Sequence, residues 1–220
     1  MDIAEIIQDL QNSIPGHVEI VAVSKTRPVS AIMQAYGAGQ RVFGENRVQE
    51  LVLKQPQLPP DIEWHFIGHL QTNKLRHIAP FIRLIHSIDS LNLINEVNKE
   101  ALKNNRVIDC LLQFYIATEQ SKFGLNIVEA RKMLESETYK KMNNVRITGV
   151  MGMSSFTEDT ALIRKEFKTL AGYFLLLKSL YFKHADAFRE LSMGMSNDYR
   201  IAIEEGSTMI RIGTTIFGNR

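Results

Sequence analysis

Leu191-Ser192-Met193-Gly194-Met195-Ser196, followed downstream by Ser207-Thr208-Met209-Ile210-Arg211-Ile212-Gly213-Thr214-Thr215-Ile216-Phe217-Gly218, is the stretch that decides the fold. Each segment is a short apolar run that stops in glycine and hydroxyl residues. A strand ending this way frees backbone N–H groups beside small hydroxyls, a combination that suits a phosphate dianion. When the last two strands of an alternating α/β chain both end so, they point to the phosphate corner after strands 7 and 8 of a (β/α)8 barrel. At the other end of the chain, Val21-Ala22-Val23-Ser24-Lys25-Thr26 closes the first strand with a lysine. In a barrel that lysine faces the same mouth as the corner.

The rest of the chain fits this frame. Ile3, Ile6, Ile7 and Leu10 recur at helical spacing, so a leading helix is expected over 2–13. Strands are expected at 19–24, 41–44, 63–67, 81–87, 107–115, 145–151, 187–193 and 209–212. Helical patterns separate most of them, at 30–36, 46–54, from 72 to 77, and at 90–103, 127–134, 159–180 and 198–205. The fifth strand is almost continuously apolar, as a strand covered on both faces should be. A single barrel domain over 1–220 follows, with no linker and no internal repeat beyond the βα alternation. A doubly wound open sheet is the alternative, but it calls for a glycine-rich turn after strand one, and Ser24-Lys25-Thr26-Arg27-Pro28 is not that.

Composition narrows the function. The chain is 45% hydrophobic and 23% charged with a net charge of +2, an ordinary globular balance without the basic excess of a nucleic-acid binder. Its one cysteine, Cys110, lies in an apolar run and reads as a buried thiol rather than a nucleophile; no disulfide framework or zinc cluster is possible with it alone. The first ten residues carry Asp2, Glu5 and Asp9 and no basic start, so no export signal is expected. The apolar run 170–177 is broken by Lys178 and is too short to span a membrane. A cytoplasmic, membrane-free protein is the expectation, with a monomer as the default.

Polar residues collect at the expected strand ends: Lys25, Glu45 and Asn46, His65, Ser87 and Asp89, Ser196 and Thr214, with Met151 and Met153 closing strand six. The C-terminal face of a barrel is where ligands bind, so these residues would ring one pocket. A lysine opposite a phosphate clamp implies a phosphorylated aldehyde, because a neutral amine condenses with an aldehyde to a Schiff base. Pyridoxal 5'-phosphate (PLP) is the common cofactor of that description. Arg211, just before the glycine turn, could reach the pyridine nitrogen, where a fixed cation would disfavour protonation and weaken the electron sink. It could instead pair with a buried carboxylate such as Glu45. His65 reads equally as a structural histidine, and His65, His69 and His77 lack a carboxylate at metal-ligand spacing. Lys74 and Lys122 read as exposed.

Several motifs then occur in a fixed order: Val23-Ser24-Lys25-Thr26, Phe43-Gly44-Glu45-Asn46, Trp64-His65-Phe66-Ile67-Gly68, Ser121-Lys122-Phe123-Gly124, Ser192-Met193-Gly194-Met195-Ser196 and the run from Gly206 to Gly218. In these the chain closely resembles the YggS/PROSC-type PLP homeostasis proteins over nearly its whole length. The resemblance implies a barrel like the alanine racemase N-terminal domain and a Schiff base at Lys25. It implies phosphate contacts from Ser196, Gly213 and Thr214, an Arg211 contact to the pyridine nitrogen, and a ring pocket lined by Asn46, His65 and Met151. It implies PLP buffering and delivery to apo PLP-dependent enzymes, without established turnover. Racemases draw a second acid–base group from an additional C-terminal β domain, and a chain ending at Arg220 is expected to lack it. A weak amino-acid racemase and a phosphosugar-aldehyde barrel enzyme are the rival readings.

Overall fold

In the computed structural model, residues 2–117 and 123–218 are described; Lys122 lies outside the described residues. Eight parallel strands close into a barrel in sequence order: β1 (Glu19–Val23), β2 (Val42–Glu45), β3 (Glu63–Phe66), β4 (Leu84–Ile88), β5 (Ile108–Tyr115), β6 (Val145–Met153), β7 (Glu190–Met195) and β8 (Met209–Ile212). β8 pairs back onto β1 in the register Glu19↔Met209 to Ala22↔Ile212, which shuts the sheet. The helices α1 (Ile3–Ser13), α2 (Val29–Gly37), α3 (Val48–Lys54), α4 (Leu91–Lys103), α5 (Ile127–Glu135), α6 (Glu137–Lys140), α7 (Thr160–Tyr181), α8 (Tyr199–Glu204) and α9 (Thr214–Phe217) lie outside it. The expected (β/α)8 barrel and its leading helix are both present. None of the described helices is long and apolar enough to cross a membrane.

Local chemistry explains the helix starts. Ser90 Oγ accepts from Leu93 N at the head of α4, Asn126 Oδ1 accepts from Val128 N and Glu129 N at α5, and Asp159 Oδ1 accepts from Ala161 N and Leu162 N at α7. Several boundaries differ from those read in the sequence. β4 begins at Leu84, because Phe81 and Ile82 are turned back by hydrogen bonds to Ile78 O, and pairing with β3 starts only at Arg83 N to Trp64 O. β7 begins at Glu190 because Phe188 is drawn out of line; it stacks between Phe174 and Phe182, with ring centroids 5.0 and 4.3 Å away. α3 starts at Val48, leaving Asn46 in a turn, and Thr72–His77 is a 3-10 helix.

Alternation along the strands divides the apolar residues into two bodies. The larger one fills the space between strands and helices. The smaller one, Val21, Val42, Leu84, Leu111, Met151 and Met209, comes from inward-facing positions and plugs the barrel. Below the plug lies a charged ring built from strand starts: Glu19, Glu63 and Glu190, with Arg83 and Arg146 converging on Asp109. Burial pushes the Asp109 carboxyl up, but the Arg146 and Arg83 hydrogen bonds outweigh it and hold it below its usual range. Above the plug lies the polar layer of the mouth.

The barrel wall is tight where Gly149 faces β7. A Cβ there would stand 1.8 Å from Glu190 O, a backbone atom that cannot move without breaking the ladder. Gly149→Ala is expected to lower stability by about 3 kcal/mol, read as a lower urea midpoint. Glu19 gives a pH effect. Partial burial, then the charges of Glu190 and Glu63, push its carboxyl from 4.5 up to about 7. The folded chain therefore keeps a proton that the unfolded chain has lost, so stability falls as pH rises between those values. Glu19→Gln is expected to raise the melting temperature at pH 8 more than at pH 5; because Glu19 is open to water on one side the gain is modest, and an equal or reversed gain would contradict the assignment.

Candidate functional site

Lys25 stands in the turn after β1, partly exposed, and among the described residues its amine makes no hydrogen bond or ion pair. The backbone on both sides of it is held from the neighbouring βα unit. Ser24 Oγ donates to Glu45 Oε1 at 2.6 Å, Lys54 Nζ donates to Ser24 O at 2.8 Å, and Thr26 N donates to Glu50 Oε1. Lys54 itself bridges Glu45 at 2.7 Å and Glu50 at 2.6 Å, and is 7% exposed. Thr26 adopts φ 64°, a left-handed conformation that a threonine holds only under such constraint. Burial pushes the Glu45 carboxyl up, while Lys54 and Ser24 pull it back. Glu45 thus faces α3 on the outside of the sheet and is not the partner of Arg211.

Arg211 points into the barrel and is 4% exposed. Its Nη1 donates to Ser192 Oγ at 2.6 Å and its Nη2 to Gly152 O at 2.9 Å. Burial lowers its pKa to about 10, so it stays a cation at neutral pH. Beyond Ser192 the polar layer continues: His86 Nδ1 lies 3.1 Å from Ser192 Oγ, and His86 Nε2 lies 3.1 Å from His65 Nδ1. Both histidines are buried. Desolvation first, then the Arg83 charge, lowers His65 to about 3; desolvation, His65 and Arg211 lower His86 well below its ordinary value. Both rings are neutral at physiological pH.

The ends of β7 and β8 lie together at the corner read from the sequence. Ser196 Oγ accepts from Gly213 N and Thr215 N, each at 3.3 Å, so the ends of β7 and β8 meet on one hydroxyl. Thr214 opens α9 and is exposed. Asp198 fixes the β7 turn from below: its carboxylate accepts from Met195 N and from Ser154 Oγ, each at 2.6 Å. Gly213 also abuts β1, since a Cβ on it would lie 3.3 Å from Val23 Cβ. That contact puts the corner beside the turn that carries Lys25.

The remaining site residues are spread wider. Met151 is 1% exposed and belongs to the apolar plug, so it forms floor rather than wall. Asn46 lies in the β2–α3 turn with Gly68 packed onto its backbone, a Cβ there falling 2.3 Å from Asn46 O. With Arg47, Phe66, His69, Gln71 and Lys74 it lines a cavity of about 470 Å³. His69 stacks on Phe123 at 3.8 Å and faces Asp89 at 3.4 Å. Three residues of the polar layer were not legible as such: His86, Ser192 and Gln113, which sits beside Met151 on β5. Each lies at an inward position of its strand, two residues along from Leu84, Leu111 or Glu190, and that alternation is the signal that finds them. Cys110 is fully buried, and burial pushes its thiol up, in keeping with a structural role.

A family profile described as alanine racemase, N-terminal domain, matches residues 2–220. A pyridoxal phosphate homeostasis protein of Aquifex aeolicus is 39% identical over 203 residues, covering 92% of this chain and 87% of the relative. The structure of PipY of Synechococcus elongatus PCC7942, with PLP bound, is 36% identical and matches with a TM-score of 0.88 over 98% of this chain and 100% of that one. Alanine racemase from Bacillus anthracis shares the fold at 17% identity, with a TM-score of 0.74 over 99% of this chain and 56% of that one. By fold, by matched length and by these identities, the chain belongs to the alanine racemase N-terminal domain family, alongside the pyridoxal phosphate homeostasis proteins.

Proposed function

We propose that this chain binds PLP covalently and reversibly at Lys25 and acts as a carrier that buffers the cofactor and passes it to apo PLP-dependent enzymes, without turnover of its own. The observation that carries the reading is the meeting of the β1 turn and the β8 corner: a lysine amine with no hydrogen bond or ion pair among the described residues and a pair of convergent backbone N–H groups stand on adjoining strand ends. The donor set suits a phosphorylated pyridine aldehyde. Ser196, Gly213 and Thr214 would take the phosphate, Arg211 the pyridine nitrogen, and Asn46, His65 and Met151 the ring. PLP, when bound, supplies the aldehyde and an electron-withdrawing ring. Lys25 would hold the group, its amine being the nucleophile that suits an aldehyde carbon. PipY supports the reading as a 36% identical protein whose structure holds PLP.

The carrier part of the proposal rests on the acid–base inventory. Racemisation needs a proton donor and acceptor on both faces of the cofactor. His65 and His86 are neutral and buried, and Arg211 stays charged, so it exchanges no proton at neutral pH. Incubation with L-alanine is expected to yield no D-alanine; measurable racemisation would replace the carrier with an enzyme.

Titration with PLP is expected to produce a visible Schiff-base band in the wild type and none in Lys25→Ala, with circular dichroism unchanged; a band that survives the substitution points to another lysine. The support beneath the turn gives a second expectation. Lys54→Met strips the buried Glu45 of its cation, so unfolding stability should drop by about 3 kcal/mol. PLP affinity should fall with it, because Ser24 O loses its donor and Glu45 and Glu50, which hold Ser24 Oγ and Thr26 N, lose the cation between them. Full affinity in that variant would show that the network does not position Lys25.

A further inference from the structure

Four buried groups run in line across the barrel: Arg211, Ser192, His86 and His65. The direction of each hydrogen bond can be worked out from what each group is able to donate. A guanidinium donates only, so Ser192 Oγ accepts from Arg211. The Ser192 side chain is 0% exposed, and its own proton finds one acceptor among the described residues, His86 Nδ1. If His86 instead donated from Nδ1, the serine proton would be left buried with no acceptor, a costly state. With Nδ1 accepting, the His86 proton sits on Nε2 and is donated to His65 Nδ1. The one imidazole proton of His65 is then on Nε2, which makes no hydrogen bond among the described residues.

We propose that Arg211, Ser192 and His86 form a one-way hydrogen-bond wire that fixes His65 as its Nε2–H tautomer, so that this histidine offers bound ligand a hydrogen-bond donor and not a base. The wire starts at a group that keeps its protons, so it sets proton positions and does not conduct. Ser192 and His86 are therefore positioning residues: they act on the ligand only through His65. The ligand atom that fits the open end is an acceptor oxygen, such as the ring hydroxylate of a phosphorylated pyridine aldehyde; this last step rests on the proposed function, whereas the tautomer does not. The direction of the wire also deepens the carrier reading, because a histidine that already holds its proton on the open nitrogen has no lone pair there to take one from a substrate.

The test is nitrogen NMR on the full chain, labelled with ¹⁵N-histidine and free of PLP, with His65 and His86 signals assigned by their loss in His65→Gln and His86→Phe. The expected spectrum at pH 7 shows both rings with a pyrrole-type Nε2 and a pyridine-type Nδ1, and a coupling across the hydrogen bond between His86 Nε2 and His65 Nδ1. In His86→Phe the His65 signals should move to the average of the two tautomers. A His65 proton on Nδ1, a charged His65 ring, or a missing coupling overturns the proposal, as does a His65 pattern unchanged in His86→Phe. The wild-type spectrum decides the tautomer even if neither variant folds. Because no cofactor is present, failure here is distinguishable from failure of PLP binding, which the Lys25→Ala titration reads separately.

Discussion

The pairing of the last strand with the first is the constraint on which the site depends. Four residues of β1, Glu19 to Ala22, lie in register with Met209 to Ile212, and this closure places the start of the chain against its end. Without it the Lys25 turn and the Gly213 corner would belong to opposite edges of an open sheet. With it they adjoin, and Gly213 packs so closely on Val23 that a larger residue would press the two strand ends apart. The same parallel order directs the C-terminal end of every strand to one mouth. Function in such a barrel is thus a property of strand ends, and the strands themselves supply rigidity.

Within that frame the interior is stratified by charge. A ring of carboxylates and arginines surrounds the strand starts, an apolar plug from six inward positions fills the middle, and a neutral-histidine layer with one buried cation lies above. The plug shields Arg211 from the carboxylates below, so its partners are a hydroxyl and a carbonyl rather than an ion. A buried cation held by neutral acceptors keeps its full positive charge available to a ligand, which a salt bridge to Glu45 would have cancelled. Glu45 is engaged elsewhere: with Lys54 and Glu50 it secures the Lys25 turn from outside the barrel. The two buried cations therefore have separate tasks, one aimed inward and one holding backbone.

Much of this was readable in the sequence, and the exceptions have physical causes. The barrel, the leading helix, Lys25 at the end of β1 and the glycine–hydroxyl corner follow from periodicity and turn chemistry, which are local signals. The starts of β4 and β7 differ from the sequence reading because Phe81 and Phe188 look like strand residues yet lie in turns: Phe81 N donates to Ile78 O, and Phe188 stacks between Phe174 and Phe182. The pairing of His86 with Ser192 and of Ser192 with Arg211 is not legible, because a polar residue in Leu84-Ile85-His86-Ser87-Ile88 or Leu191-Ser192-Met193 reveals nothing of partners that lie 106 and 19 residues away in sequence. The sequence leaves the Arg211 partner open between the pyridine nitrogen and Glu45, since it cannot tell the inner from the outer face of β2; register can, and it places Glu45 outside.

The central claim is that one amine at the mouth, the one on Lys25, holds the cofactor. Borohydride reduction of the PLP-loaded protein, followed by digestion and mass mapping, tests it most directly. The account predicts a reduced pyridoxyl group on the peptide containing Lys25. A label on Lys54, Lys74 or any other lysine, with Lys25 unmodified, would contradict it.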